Sequence, residues 1–106
     1  MVRSLDKKGF EEALRTSGKP VVVDFTAGWC PYCQKLAPVI EGIAAEYQDK
    51  ADVYFVDTDN QPELAERYDV MTIPTVFVFE NGKVRDSAVN PGTKQALLKL
   101  IFKGEA

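Results

Sequence analysis

Val21-Val22-Val23-Asp24-Phe25, followed after Thr26-Ala27-Gly28 by Trp29-Cys30-Pro31-Tyr32-Cys33, is the stretch on which the reading of this chain turns. The first five residues read as a buried strand, and Gln34 to about Tyr47 reads as a helix. A strand that feeds a Cys-x-x-Cys at a helix start places a sulfur against unpaired backbone N–H groups and the positive end of the helix dipole. Those groups favour thiolate over thiol, and the thiolate is the nucleophile of disulfide exchange. The pair reads as a redox site.

Other uses of the pair fit less well. Cys30 and Cys33 are the only cysteines, and the chain has no His. A structural zinc site takes four nitrogen or sulfur ligands as a rule, so completing one would need carboxylates or a second chain. A bridge that encloses so few residues removes little loop entropy, which argues against a purely structural disulfide. Without His, any catalytic base is a carboxylate, a lysine or water. The expectation is no metal and no cofactor, the reversible Cys30–Cys33 disulfide being the redox centre.

The 106 residues, 45% hydrophobic and 27% charged, suit a single globular domain over 1–106. A net charge of −3 and a pI near 4.9 give no electrostatic footprint for nucleic acid or an anionic membrane. No segment is long and apolar enough to cross a bilayer. The start, Met1-Val2-Arg3-Ser4-Leu5-Asp6-Lys7-Lys8, has no apolar h-region of a signal peptide. A lone cysteine pair in a reducing cell serves redox or metal work more often than structure. These features set the expectation of a cytoplasmic, monomeric protein.

Outward from the cysteine stretch, Asp6 can cap a helix from about Lys7 to Thr16, with Leu5 and Phe10 as a hydrophobic staple and Ser17-Gly18 as its end. Val21 to Thr26 is apolar enough for a strand covered on both faces. The second helix carries Leu36, Ile40, Ile43 and Tyr47 on one stripe, with Pro38 inside it. Val53 to Asp57 reads as another covered strand, and Pro62 opens a short helix over Glu63 to Tyr68. Thr75 to Phe79 and Lys83 to Val89 flank Asn81-Gly82, which signals a hairpin with a type I′ turn. After Asn90-Pro91-Gly92, Thr93 can cap a last helix carrying Leu97, Leu100 and Ile101. The order βα, βα, βα, then a β-hairpin and α, predicts an α/β fold. Its mixed sheet would be parallel first and antiparallel last, with helices on both faces.

These residues together resemble the thioredoxin family over essentially the whole chain. The matching pieces are Val22-Val23-Asp24-Phe25, Ala27, Trp29-Cys30, Cys33, Pro38, Val56-Asp57, Asp59, Ile73-Pro74-Thr75 and Phe79-Glu80-Asn81-Gly82-Lys83. The resemblance implies the thioredoxin fold and a thiol–disulfide exchange activity. Four places depart from the pattern. Pro31-Tyr32 stands where thioredoxins usually carry Gly-Pro, and looks like the glutaredoxin motif. Thr26 stands where many have Trp, and Phe55 where they often have Lys near the buried Asp. Asn90-Pro91-Gly92 replaces a Val-Gly segment that lines the substrate groove.

Cys30 is the expected nucleophile, at the helix start where its sulfur can stay exposed and meet the N–H groups. Cys33, one turn in, can share its proton with the Cys30 thiolate and later attack the mixed disulfide. Asp24 is either a solvated strand-end carboxylate, the usual fate of Asp, or a buried one. Val22, Val23 and Phe25 around it favour burial, which raises a carboxyl pKa and fits it to accept the Cys33 proton; the resemblance assigns it that role too. The base rate for X–Pro bonds makes Ile73-Pro74 trans. The resemblance instead implies a cis bond facing the cysteines, with the Ile73 backbone free to bind an extended substrate segment by β-augmentation. Trp29 is a rim residue beside the cysteines or a core aromatic, and Tyr32 should be exposed. Trp29, Pro31, Tyr32, Ile73 and Pro74 are the candidate substrate-binding residues.

The leading reading is a protein disulfide reductase acting on disulfide-containing protein substrates. An outside reductase would regenerate it, either thioredoxin reductase-like or the glutathione system. Pro31-Tyr32 supports a glutaredoxin-like, glutathione-dependent alternative, which Asp24 and Ile73-Pro74-Thr75 oppose. A dimeric scaffold holding an iron–sulfur cluster on two Cys30 thiolates, and a redox-silent binding module, are readings of other classes.

Overall fold

The computed structural model describes residues 2–102; Met1 and residues 103–106 lie outside that description. In chain order the elements are β1 (Arg3–Ser4), α1 (Lys7–Thr16), β2 (Val21–Thr26), α2 (Pro31–Glu46), β3 (Asp52–Asp57), α3 (Pro62–Arg67), β4 (Thr75–Glu80), β5 (Lys83–Val89) and α4 (Lys94–Ile101). The sheet order is β1-β3-β2-β4-β5. β1 and β2 pair with β3 in parallel, and β4 pairs with β2 and β5 antiparallel. This is the mixed α/β sheet that the order of elements predicts.

The central strand divides the core. Successive side chains of a strand point to opposite faces, so Val22, Asp24 and Thr26 share one face and Val21, Val23 and Phe25 the other. Val22 packs with Leu36, Ile40 and Ile43 of α2 and with Leu97, Leu100 and Ile101 of α4. Val21, Val23 and Phe25 pack instead with Phe10 of α1, Leu64 of α3, and Phe77 and Phe79 of β4. Asp24 therefore lies on the side that α2 covers, and α2 begins with the cysteines. The functional residues converge by this alternation.

Local chemistry explains the boundaries. Asp6 Oδ1 accepts the Gly9 N–H at 2.7 Å, and Leu5 and Phe10 are both buried, so the cap and the staple form as expected. Helix α1 ends on Ser17, whose N–H reaches the Ala13 carbonyl at 3.1 Å with Ser17 itself extended (φ −74°); a left-handed glycine is not needed there. Thr93 Oγ1 caps α4 by accepting the Ala96 N–H at 3.1 Å.

Three expectations are corrected. The strand that the βα order requires ahead of α1 is only Arg3–Ser4, exposed and too short to carry a period. Helix α2 starts at Pro31, three residues earlier than Gln34, because proline at the first helical position loses no hydrogen bond. Strand β3 is not covered throughout: Val53 and Val56 are buried, while Tyr54 and Phe55 stay half-exposed. Beyond β3 the sheet offers only the short β1, which pairs with those two residues.

Asn81 (φ +55°) and Gly82 (φ +79°) adopt the left-handed pair that a type I′ turn requires. A Cβ on Gly82 would meet nothing closer than the Leu14 carbonyl at 3.9 Å. Gly82→Ala should thus destabilise the fold through backbone conformation alone, by about 1–2 kcal/mol, while Gly82→Asn should lose less. Chemical denaturation checks this, and equal losses for both variants would point to a steric cause instead.

Candidate active site

The loop between β2 and α2 is pinned on both sides. The Thr26 carbonyl accepts the Thr58 N–H at 2.9 Å and the Thr58 hydroxyl at 3.2 Å. Gln34 Nε2 donates to the Gly28 carbonyl at 2.6 Å, and Trp29 Nε1 donates to Asp59 Oδ2 at 2.9 Å. The Cys30 N–H then reaches the Ala27 carbonyl at 3.2 Å, and the Cys30 carbonyl takes the first helical bond from Gln34 N–H at 3.0 Å. Cys30 is the N-cap of α2, and its sulfur accepts the Cys33 N–H at 3.2 Å. A sulfur thus does the work usually given to a Ser or Asp oxygen at a helix start.

The same contact overturns the expectation that the Cys30 sulfur is exposed. Cys30 is 4% accessible and Cys33 1%. A cap side chain folds back over its own first turn to meet the N–H, which draws it out of solvent. Ala27, Cys33 and Ile73 pack round it. The Ile73 carbonyl faces the Cys30 sulfur at 3.9 Å, and the Ile73-Pro74 bond is cis. The structure thus brings Ile73 and Pro74, from the loop before β4, against the cysteines of α2.

Both cysteines are free thiols. Burial pushes the proton affinity of Cys33 up, and a hydrogen bond to Cys30 pushes it the same way. A side-chain hydrogen bond from Thr26 and a backbone bond with Ala27 oppose that rise. Cys33 thus holds its proton more tightly than a free thiol would, beside a Cys30 sulfur that receives a backbone N–H.

Asp24 is buried and shows no solvent-accessible surface. Neither carboxylate oxygen has a hydrogen-bond partner among the described residues. Its register neighbours are Phe55 on β3 and Val76 on β4, which offer neither donor nor charge. Burial alone pushes its pKa up from 3.8 to about 7. Around the buried centre lies an exposed apolar rim. Trp29 is 67% accessible, Tyr32 61% and Met71 91%. Trp29 is thus a rim residue and no core aromatic. Pro31 is exposed beside Tyr32, and the Lys35 ammonium sits 5.8 Å above the Tyr32 ring.

Sequence reading missed three parts of this site. The Thr26 bond to Cys33 could have been suspected from parity, since Thr26 shares a face with Asp24. Nothing in the sequence marks the Gln34 amide as a loop clamp. Met71 carried no signal beyond lying ahead of Ile73-Pro74. Among the described residues, no group of three or more His, Cys, Asp or Glu side chains is placed to hold a metal ion. None of their helices is long and apolar enough to cross a membrane.

The raised Asp24 pKa makes stability depend on pH, with a definite sign. Near pH 4 the folded chain keeps this proton and the cost of burial is absent. As pH rises towards 7 the unfolded chain releases its proton and the folded one resists, so stability falls. Above about pH 7 the loss is complete, at most about 4 kcal/mol for a pKa of about 7 against 3.8. Asp24→Asn should therefore stabilise the fold at pH 8 by several kcal/mol more than at pH 4. Urea denaturation at the two pH values decides; an equal effect at both would mean that Asp24 titrates normally.

Comparison with known proteins gives a consistent result. The family model described as Thioredoxin matches residues 1–103. A thioredoxin of Rickettsia bellii is 38% identical over 101 residues, 95% of this chain and 96% of that one. A thioredoxin of Griffithsia pacifica is 43% identical over 94 residues, covering 89% and 86% of the two chains. A thioredoxin of Staphylococcus aureus is 43% identical over 82 residues, covering 77% and 79%.

Proposed function

Because the chain belongs to the thioredoxin family it is a thiol–disulfide oxidoreductase, and we propose that Cys30 attacks and Cys33 resolves. The observation that carries this assignment is the hydrogen bond from the Cys33 N–H to the Cys30 sulfur at 3.2 Å. It sets a backbone donor on the Cys30 sulfur, while burial keeps the proton on Cys33. The Cys30 thiolate attacks one sulfur of a substrate disulfide, forms a mixed disulfide and expels the other sulfur as a thiolate. Cys33 gives up its proton to Asp24 and attacks Cys30. The Cys30–Cys33 bond forms, the bond to the substrate breaks, and two electrons have passed to the substrate. An outside reductase returns two electrons to the new disulfide.

The substrate lies over the rim of Trp29, Pro31 and Tyr32, with its backbone along Ile73 and Pro74. One chain supplies every group in this scheme, which supports a monomer. A dithiol poised to give electrons away fits a reducing compartment such as the cytoplasm.

Trapping tests the assignment of roles. Cys33→Ser should accumulate mixed disulfides with substrate proteins, and Cys30→Ser almost none. Equal capture by both variants would sink it.

Pro31-Tyr32 should set the potential. A cap side chain accepts from the second or third N–H of the helix, here those of Tyr32 and Cys33. The Gly-Pro order would place proline second and remove one donor. More donors stabilise the Cys30 thiolate and so favour the dithiol, which makes a weaker reductant. A shift from about −270 mV towards −200 to −230 mV is the difference between thioredoxin and glutaredoxins, roughly 2–3 kcal/mol. We therefore expect the wild type to lie on the less negative side, and replacement of Pro31-Tyr32 by Gly-Pro to lower the potential by tens of millivolts. Equilibration against glutathione buffers measures both; an unchanged potential would show that the dipeptide does not set the poise. The same Pro31-Tyr32 pair is what favours glutathione as the regenerant. Turnover with NADPH and thioredoxin reductase, compared with NADPH, glutathione and glutathione reductase, separates the two routes.

A further inference from the structure

We propose that the Thr26 hydroxyl is a catalytic hydrogen-bond donor to Cys33, stabilising its thiolate in the resolving step and leaving the first attack by Cys30 untouched. This deepens the function proposed above and rests on Cys33 being the resolving thiol.

The geometry has three parts. Thr26 ends β2 on the face that α2 covers, two residues beyond Asp24, so the strand aims both side chains towards the first turn of α2. Its backbone is fixed: Thr26 pairs with Asp57 of β3, and Thr58 anchors the Thr26 carbonyl through two donors, the N–H at 2.9 Å and the hydroxyl at 3.2 Å. Its β-branched side chain has few rotamers, so the hydroxyl is held rather than searching. Thr26 and Cys33 also line one cleft of about 230 Å³, shared with Ser4, Gln34, Phe55 and Asp57. Across it the Thr26 side chain opposes the rise that burial gives the Cys33 proton affinity.

A hydrogen bond to an ionised acceptor is about twice as strong as one to a neutral acceptor. In the resting dithiol Cys33 holds its proton, and a hydroxyl gains little from a neutral sulfur across the cleft. When Cys33 is deprotonated to attack the mixed disulfide, the Thr26 hydroxyl donates to the thiolate and the bond is charge-assisted. The gain appears only in that step, which is the condition for a rate effect. Cys30 instead meets the Cys33 N–H and the Ile73 carbonyl, so its attack should not sense the change.

The titratable groups that surround Cys33 are Cys30 on its own helix, Asp24 on the same face of β2, and Asp57 of β3 on the shared cleft. The pH readout is therefore taken also in an Asp24→Asn background. Stopped-flow reaction of the reduced protein with dithiobis(nitrobenzoate) separates the steps, the first chromophore leaving on attack and the second on resolution. For Thr26→Val, nearly isosteric but without the hydroxyl, the first phase should match wild type. The second should slow by roughly tenfold or more, with its pH profile displaced to higher pH in both backgrounds. Thr26→Ser should restore rate and profile. An unchanged second phase in Thr26→Val overturns the proposal. So does equal slowing in Thr26→Ser, which would make the methyl group, through packing, the cause. A wild type that releases no second chromophore would instead overturn Cys33 as resolving thiol, and the Thr26 role with it. Thermal melts of both variants verify that each is folded.

Discussion

A helix must satisfy its first N–H groups, and in this chain a sulfur does so. That constraint organises the site. To act as N-cap, Cys30 must turn its side chain over the first turn, which buries it and sets it against the Cys33 N–H at 3.2 Å. The bond that completes the helix is therefore the bond that, in the proposed mechanism, prepares Cys30 to attack. Pro31 fits the arrangement because the first helical position has no use for an N–H. The loop that delivers Cys30 is held from three directions, by Thr58, Gln34 and Asp59. Structure and reactivity draw on the same few contacts.

The second constraint comes from the sheet. β2 is central, with β3 on one side and β4 on the other, so its side chains from Val21 to Phe25 are buried. A carboxylate at Asp24 is then isolated by geometry, with Phe55 and Val76 as register neighbours. Isolation raises its pKa to about 7, near the value at which a general base is most useful at neutral pH. A buried group with no partner is a liability for stability and an asset for proton transfer.

Much of this was legible in the sequence where a pattern is local. The apolar run around Asp24 announced its burial, the i, i+3 spacing announced the cysteine pair, and Asn81-Gly82 announced its turn. The unread parts depend on the assembled fold. Arg3–Ser4 is too short and too exposed to show a period, yet it completes the sheet edge. The exact first residue of α2 is hard to read because cysteine is not among the usual capping residues. Cys30 looked exposed because its position was read without the inward turn that capping demands. The cis Ile73-Pro74 bond followed only from family resemblance, since base rates favour trans. The Thr26–Cys33 contact needed the seat of α2 on β2.

The departures from the usual family pattern cluster where they act on protons and sulfur rather than on the fold. Phe55 replaces a cation beside Asp24, so burial meets no opposing charge there. Thr26, where the resemblance would place a large aromatic, puts a hydroxyl on the cleft that Cys33 lines. Pro31-Tyr32 restores an N–H to the second position of α2. Each change leaves the packing of the two cores intact, since Val22, Leu36 and Ile40 on one face and Phe10, Phe25 and Phe79 on the other remain buried. The three changes also act on different groups. In the proposed mechanism one bears on the acceptor of the Cys33 proton, one on Cys33 and one on Cys30. A scaffold that holds these groups rigidly lets each be tuned separately, and that separation is what allows one fold to carry exchange sites of different proton affinity and poise.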